Sequence, residues 1–600
     1  MAIGFYAGYT GQLSNAVAIG PQSGYTTQGI GAVAIGSNAG YTTQKSNAVA
    51  VGSFAGSNTQ GEESVAIGFY AGYTTQRSNA VAVGSFAGSN TQGEESVAIG
   101  YYAGNTGQLS NAVAIGSLAG RTTQAIGAVA IGSNAGNSGQ LASAVAIGTS
   151  AGQITQGSQG IAIGTIAGQS NQGQNTVAIG TTAGNYFQSD RAIAIGAGGA
   201  GQCNQGPDAV AIGYFAGQIS QGQYSVALGY AAAQSNQGSN AVAIGYYAGL
   251  TSQKIHAVSI GTYAGSNNQG TYGTAIGYQA GYTNQGSQAV AIGLTSGFSS
   301  QGDQAVAIGG AGIFSQGLQA VAIGNSSGYT SQGSNSVAIG LQAGSNTQGA
   351  FGVAIGYQAG TTTQMGGSVA IGYQCGQTNQ GNGVGSSVAI GWQCGFTGQK
   401  QASVAIGNLA GRTNQGVEGI GIGNTAAYTT QGFRSVAVGA AAGYTTQGDY
   451  SVAIGYAAGS NSQRANQICL NASGSPLNGA NANAMYASPV RADTSSANRY
   501  AMAWNSGTGE VTYGNSATGV LPIGAIIMWY GLTATIPSGW QICNGTNGTP
   551  NMSGYGTAPA SGGGVDISFN TWQTGQYYAA IETGQNNIGR QLLTFIMKIT

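Results

Sequence analysis

Four glutamates arrive as two adjacent pairs, Glu62-Glu63 and Glu94-Glu95. Paired carboxylates are what glycan cleavage uses, one as acid and the other as nucleophile or base. Adjacent residues on an extended leg point to opposite sides, however, and both pairs belong to one duplicated segment: residues 46–68 recur letter for letter as 78–100. They read as solvated surface charge. Asp190, Asp208, Asp303, Glu418 and Asp449 stand alone. A nucleophilic triad has no base available beyond His256, the single histidine of the chain, and the same shortage removes metal-ligand spacing. The glycines of Gly419-Ile420-Gly421-Ile422-Gly423 imitate a phosphate loop without a helix to follow. These residues predict no enzymatic chemistry, no cofactor and no metal.

Three other rows repeat along the chain. Glutamine recurs at Gln12, Gln28, Gln44, Gln60, Gln76, Gln92 and onward to Gln463, 29 times in all. Stacked amides at this spacing predict a hydrogen-bonded polar ladder. Aromatic residues follow many of the recurring glycines, as in Phe5-Tyr6, Tyr101-Tyr102, Tyr214-Phe215, Tyr246-Tyr247 and Trp392. Exposed rings in a row can stack on sugar faces or cover a seam between subunits. Threonine pairs (Thr26-Thr27, Thr42-Thr43, Thr74-Thr75, Thr122-Thr123) are the residues an ice-binding face would use, although the row gives way to Asn204, Asn236, Asn268 and Asn284.

The element that carries these rows is a unit of about 16 residues, V-A-I-G-x-x-A-G-x-x-x-Q-G-x-x-A, copied over residues 1–467. So short a period means one turn of chain stacking on itself, a solenoid. In Val65-Ala66-Ile67 two β-branched residues flank a small one, the period-2 mark of a short strand. Gly68 and Gly72 suit the corners, and Thr74-Thr75-Gln76 makes the return leg. Val and Ile are expected inside the coil, leaving Ala2, Ala18, Ala34, Ala50, Ala66 and Ala82 facing outward. That outward position holds Ala in 27 copies, with Ser259 and Gly421 as exceptions, which predicts a second copy of the chain pressed against it. Three length faults occur: one extra residue near Ala197–Gly201, one missing near Gly309–Gly312 and three added near Gly381–Gly385. Each is expected to be absorbed as a bulge in a turn.

Only 4% of the 600 residues are charged, with 13 basic and 13 acidic side chains. A chain without net field has no electrostatic route to a phosphate backbone, so nucleic acid is excluded as a partner. No run of 18 apolar residues occurs, so membrane insertion is not expected. Five cysteines are too few for a disulfide framework; Cys375 and Cys394 hold the slot that Ala7 and Ala71 fill elsewhere, as small buried residues or as neighbours able to pair.

The V-A-I-G…A-G repeat resembles the head of trimeric autotransporter adhesins. That resemblance implies a left-handed parallel β-roll packed as a homotrimer. The unit here is about two residues longer, the constant Gln is not shared, and no heptad stalk or membrane-barrel strands follow. After residue 467 the rhythm stops, and the expected fold is all-β throughout: 29 coils, a β connector over 468–518 and a small β-rich module over 519–600. The connector pieces Cys469-Leu470-Asn471, Tyr486-Ala487-Ser488-Pro489-Val490-Arg491 and Gly509-Glu510-Val511-Thr512-Tyr513 resemble the segment joining shaft to tip in viral fibres. The last residues, Pro522-Ile523-Gly524-Ala525-Ile526-Ile527-Met528-Trp529-Tyr530, Ile536-Pro537-Ser538-Gly539-Trp540, Cys543-Asn544-Gly545-Thr546-Asn547 and Phe595-Ile596-Met597-Lys598-Ile599, are similar to the collar domain of phage tail fibres. By that resemblance the chain is a fibre on a virion surface, binding a glycan or protein receptor on the host. Trp529, Tyr530, Trp540, Asn544 and Asn547 are the candidate contacts. A cellular surface adhesin or extracellular filament is the alternative, with an ice-binding protein behind it.

Overall fold

The computed structural model describes residues 1–383, 385–491, 500–505, 507–515, 526–529, 540–542 and 594–598. Contacts divide the chain into two units, Met1–Pro489 and Val490–Thr600. The first unit is a solenoid of about 30 parallel stacked turns, and no helix occurs among the described residues. At about 4.8 Å per turn the stack is on the order of 140 Å long.

The coil over residues 129–144 shows how the unit builds itself. Its strand Val129–Ile131 pairs in parallel with the next coil, Val129 opposite Val145, Ala130 opposite Ala146 and Ile131 opposite Ile147. Its return strand Ser138–Gln140 pairs likewise, Gln140 opposite Gln156. The ladder continues through the corners: Gly132 N–H donates to Ile115 O at 2.8 Å, Asn134 to Ser117 O at 2.9 Å, and Gly136 to Ala151 O at 2.9 Å. Hydrogen bonding along nearly the whole turn compensates for the small side-chain core. Turning twice in 16 residues requires left-handed backbone, taken in this coil by Gly132, Asn134, Gly136, Gly139 and Ser143.

The two faces of the first sheet are the reverse of the sequence expectation. Ala18, Ala34, Ala50, Ala66 and Ala82 are fully buried inside single coils, whereas the flanking Val and Ile point outward and stay half-exposed. Ala2, in the first coil, is exposed. The reason is width. Two short strands face each other across each turn, and the space between them is already filled by the glutamine of the return leg, so only a methyl fits opposite. In the coil of residues 129–144, Ala130, Ala135, Ala144 and Gln140 are all fully buried, while Ile131 is 36% exposed.

The length faults are absorbed in the corners. Register in the first sheet persists across each: Ile193 opposite Val210, Val306 opposite Val321, and Val369 opposite Val388. The stack also continues past residue 467. Strands Ile468–Asn471 and Met485–Ser488 extend the first sheet, Cys469 standing opposite Ala453 and Tyr486 opposite Cys469. The first part of the expected connector is therefore shaft, because Cys469 is small enough for the alanine slot. Tyr486 packs partly buried against Cys469 and the last alanines, an aromatic ring where mid-shaft coils admit only a methyl.

In the second unit, Tyr500–Trp504 and Val511–Asn515 form an antiparallel hairpin, its turn held by Asn505 Oδ1 accepting from Gly507 N–H at 2.9 Å. A three-stranded antiparallel sheet carries Thr594–Lys598 in the centre, flanked by Ile526–Trp529 and Trp540–Ile542.

Candidate functional site: the rows of the shaft

Each buried glutamine braces its own coil, and many also reach for the next. Gln140 Nε2 donates to Val129 O at 2.8 Å and Ala144 O at 3.2 Å, tying the return leg to the first strand, and to Gln156 Oε1 at 3.1 Å. Its own Oε1 accepts from Gln124 Nε2 at 3.1 Å. The same bonds join Gln12 to Gln28, Gln44 to Gln60 and Gln76 to Gln92. Within a run, an amide that would be costly to bury alone is thus satisfied on both its donor and acceptor sides. The ladder comes in runs: Oε1 of Gln44, Gln76, Gln108, Gln172, Gln237, Gln332, Gln399 and Gln431 has no donor, and each of these begins a run, while Gln463 stands outside any run. From Gln28 to Gln463 the row is buried, so its work is structural.

Of the two exceptions to the alanine rule, one is explained by its neighbours. Ser259 Oγ donates to Gln269 Oε1 at 2.6 Å and accepts from Gln253 Nε2 at 3.2 Å, inserting a hydroxyl into the ladder. Both amides keep other partners, among them Val258 O and Val242 O at 2.8 Å each. Ser259→Ala is expected to change stability by no more than about 1 kcal/mol, readable by calorimetry; a loss beyond about 2 kcal/mol would show that the hydroxyl is needed. Gly421 sits in one of two coils whose corner slot holds alanine in place of glycine, Ala427 (the other is Ala233). A methyl on Gly421 would lie 3.2 Å from the Ala427 methyl, a contact that the coil with Ala227 and Ala233 accepts, so nothing in the structure requires glycine at 421.

The aromatic rows stack on themselves. Tyr9, Tyr25 and Tyr41 follow one another at centroid separations of 5.1 and 4.9 Å, and Phe54, Tyr70, Phe86 and Tyr102 at 4.7, 5.4 and 4.6 Å. Tyr357, Tyr373 and Trp392 do the same at 5.1 and 5.9 Å. Within the sequence pairs the rings meet edge to face, at 4.1 Å for Phe5 and Tyr6 and 4.5 Å for Tyr101 and Tyr102. A ring whose faces are occupied by its neighbours offers only an edge, which suits packing better than stacking on sugar.

The hydroxyl of the first threonine of each pair is engaged. Thr42 Oγ1 donates to Ser57 O at 3.2 Å, Thr74 Oγ1 to Ser89 O at 3.1 Å and Thr122 Oγ1 to Asn137 O at 3.1 Å. The second threonines form one in-register column, Thr27, Thr43, Thr59, Thr75 and Thr91, which ends at Gln92 opposite Gln108. Later coils place a left-handed residue before the glutamine, such as Asn171, Asn204, Asn236 or Ser252, which accounts for the drift from Thr to Asn and Ser.

The glutamates at 62, 63, 94 and 95 are exposed. His256 stacks on Tyr272 of the next coil at 4.7 Å. Two ion pairs link successive coils on the surface, Arg191 with Asp208 at 2.6 Å and Arg434 with Glu418 at 2.7 Å, and the arginine hydrogen bond holds each carboxyl below its ordinary range. Among the described residues no three His, Cys, Asp or Glu side chains gather as a metal site would require.

What remains unpartnered on the shaft is the outer face of the first sheet. Ile67, Ile99, Ile131, Ile147, Ile163 and Ile179 are each between 36% and 40% exposed and stand in one column, with the half-exposed valines in a second. An apolar stripe running the length of a rod far exceeds the scattered patches of ordinary monomers. Of the tip residues, Tyr530, Asn544 and Asn547 lie outside the described residues. Trp529 stands opposite Thr594 and Trp540 opposite Lys598, on strands flanking the central one. That register puts the two tryptophans at opposite ends of the three-stranded sheet, so the backbone does not gather them into one patch. No family model, no curated protein and no solved structure matches this chain, and its kinship stays a resemblance of motifs carried on a β-solenoid.

Proposed function

We propose that this chain is the shaft and tip of a viral fibre, assembled as a homotrimer and used to attach a virion to a glycan or protein on the host surface. The observation that carries the reading is the outward Val/Ile stripe. Fully burying an Ile is worth about 1.5–3 kcal/mol, so roughly a third left exposed forgoes about 0.5–1 kcal/mol in each coil. Repeated along about 30 coils, that is a large driving force for packing one shaft on another. In this reading the surface that serves self-association is the Val and Ile face, not the alanines. The C-terminal module supplies the tip, with the collar-like motifs as support.

Ile131→Lys combined with Ile147→Lys places two cations on the stripe without touching the coil interior. The expected result is a shift of the sedimenting species from trimer toward monomer with an unchanged β circular dichroism spectrum. A wild-type chain that sediments as a monomer at micromolar concentration would defeat the proposal. Imaging particles that carry a tag after Thr600 separates a virion fibre from a cellular filament, since only the former decorates a capsid or tail.

A further inference from the structure

Cys375 and Cys394 occupy the same slot of successive coils, six residues after the in-register pair Val369 and Val388. Both are fully buried in one cluster with Ala370 and Ala389. Gly376 N–H donates to Cys394 O at 2.8 Å, which fixes the two coils against each other at this point. In-register residues on parallel neighbours lie about 4.8 Å apart, inside the roughly 4.4–6.8 Å Cα separation that a disulfide spans. Cys203 stands between Tyr186 and Ile219, and Cys469 between Ala453 and Tyr486, so neither has a cysteine on an adjoining strand.

The position within the shaft is the second observation. Residues 376–393, which the pair brackets, include the three-residue insertion, with left-handed Gly381, Gly383 and Gly385. The glutamine ladder breaks at this coil: Gln380 Nε2 donates to Val369 O, and Gln399 Oε1 is left without a donor. On the return leg the next coil is met through isolated bridges, Thr378 with Thr397 and Asn382 with Lys400, and through backbone bonds such as Gly381 N–H to Gln399 O at 2.8 Å. The two cysteines straddle the coil that carries the insertion, at one of the breaks in the glutamine ladder.

We propose that Cys375 and Cys394 form a disulfide that staples the irregular coil when the chain meets an oxidising low-molecular-weight disulfide, RSSR. One cysteine thiolate attacks RSSR, whose S–S bond breaks and expels RS⁻, leaving a mixed disulfide on the protein. The second cysteine, as thiolate, attacks the protein sulfur of that mixed disulfide, forms the new S–S bond and expels the second RS⁻. Two protein thiols are oxidised, one RSSR is reduced to two RSH, and the two thiol protons end on the RSH. In the closed coil Cys375 Sγ–H donates to Gly391 O at 2.6 Å and Cys394 Sγ–H to Ile390 O at 3.1 Å, so a thiol leaves its carbonyl before it ionises and attacks. Local opening of the coil that carries the insertion admits the oxidant.

The test uses the full chain incubated with glutathione disulfide, then unfolded, alkylated and mapped by mass spectrometry. The expected product is a Cys375–Cys394 linked peptide pair lacking two hydrogens relative to the reduced form. Thermolysin cleavage between the two cysteines should slow on the order of a hundredfold on oxidation, from the closed-loop constraint. The double variant Cys375→Ala, Cys394→Ala restores the residue of the other coils and should show no redox dependence. Recovery of both thiols alkylated, glutathione adducts without a link, or equal cleavage of oxidised and reduced protein would overturn the proposal.

Discussion

Gln140→Glu is expected to destabilise the middle of the shaft by about 3–5 kcal/mol at neutral pH, as when a buried polar group loses its partner and leaves an uncompensated charge. The amide nitrogen that now donates to Val129 O, Ala144 O and Gln156 Oε1 would become an oxygen facing three oxygens. Protonation relieves part of the conflict by restoring one donor. The carboxyl's folded pKa therefore lies above its unfolded value near 4.3. A raised folded pKa means that the folded state binds the extra proton, so the variant is most stable below the unfolded value. That stability is lost as pH rises toward and through the folded pKa. Hydrogen exchange should show the loss centred on the coils around residues 113–160, since each coil is stabilised chiefly by its immediate neighbours. Equal destabilisation at pH 4 and pH 7 would mean that the amide's donors do not matter.

The second large effect separates two glycines of one coil. Gly132 has φ +128, and a Cβ there would lie 2.6 Å from the Gly148 carbonyl oxygen and 2.8 Å from its carbon. Backbone in the next coil cannot move aside without breaking the ladder, so Gly132→Ala is expected to cost about 3 kcal/mol or more. Gly136 has φ +49, and its added Cβ would meet the Gln140 side-chain oxygen at 2.6 Å and the Ala130 methyl at 3.2 Å. A side-chain amide can shift, and Ala233 and Ala427 already occupy this slot at φ 47 and 51. Gly136→Ala should therefore cost only about 1–2 kcal/mol. Denaturant midpoints of the two variants decide the matter; similar losses would remove the distinction between backbone and side-chain obstruction.

Much of the architecture was legible because the repeat writes the same local instruction in every copy. The short V-A-I strand, the glycine corners, the parallel stack, the polar ladder and the tolerance of the faults at Gly196–Gly201 and Gly381–Gly385 all follow from spacing and residue type. Which side of the strand faces inward did not. Alternation distinguishes two faces without assigning them, and hydrophobicity argued for Val129 and Ile131 inside. The glutamine side chain crossing the turn is what reverses that assignment, through a tertiary contact that no local pattern contains. The end of the shaft was misplaced for a related reason: Ile468-Cys469-Leu470 lacks the glycine corner motif but keeps the one property the stack selects, a small residue at the centre of the strand. The aromatic rows were visible as spacing, while their mutual stacking, which removes the ring faces from use, required the register.

Because successive turns meet through backbone in a single repeated register, a turn copied from one place fits at another. The two identical stretches at residues 46–68 and 78–100 show what this permits at the level of the gene. Recombination between copies lengthens or shortens the protein by whole units of about 4.8 Å without redesigning any junction. Reach becomes a heritable quantity that can be adjusted in steps.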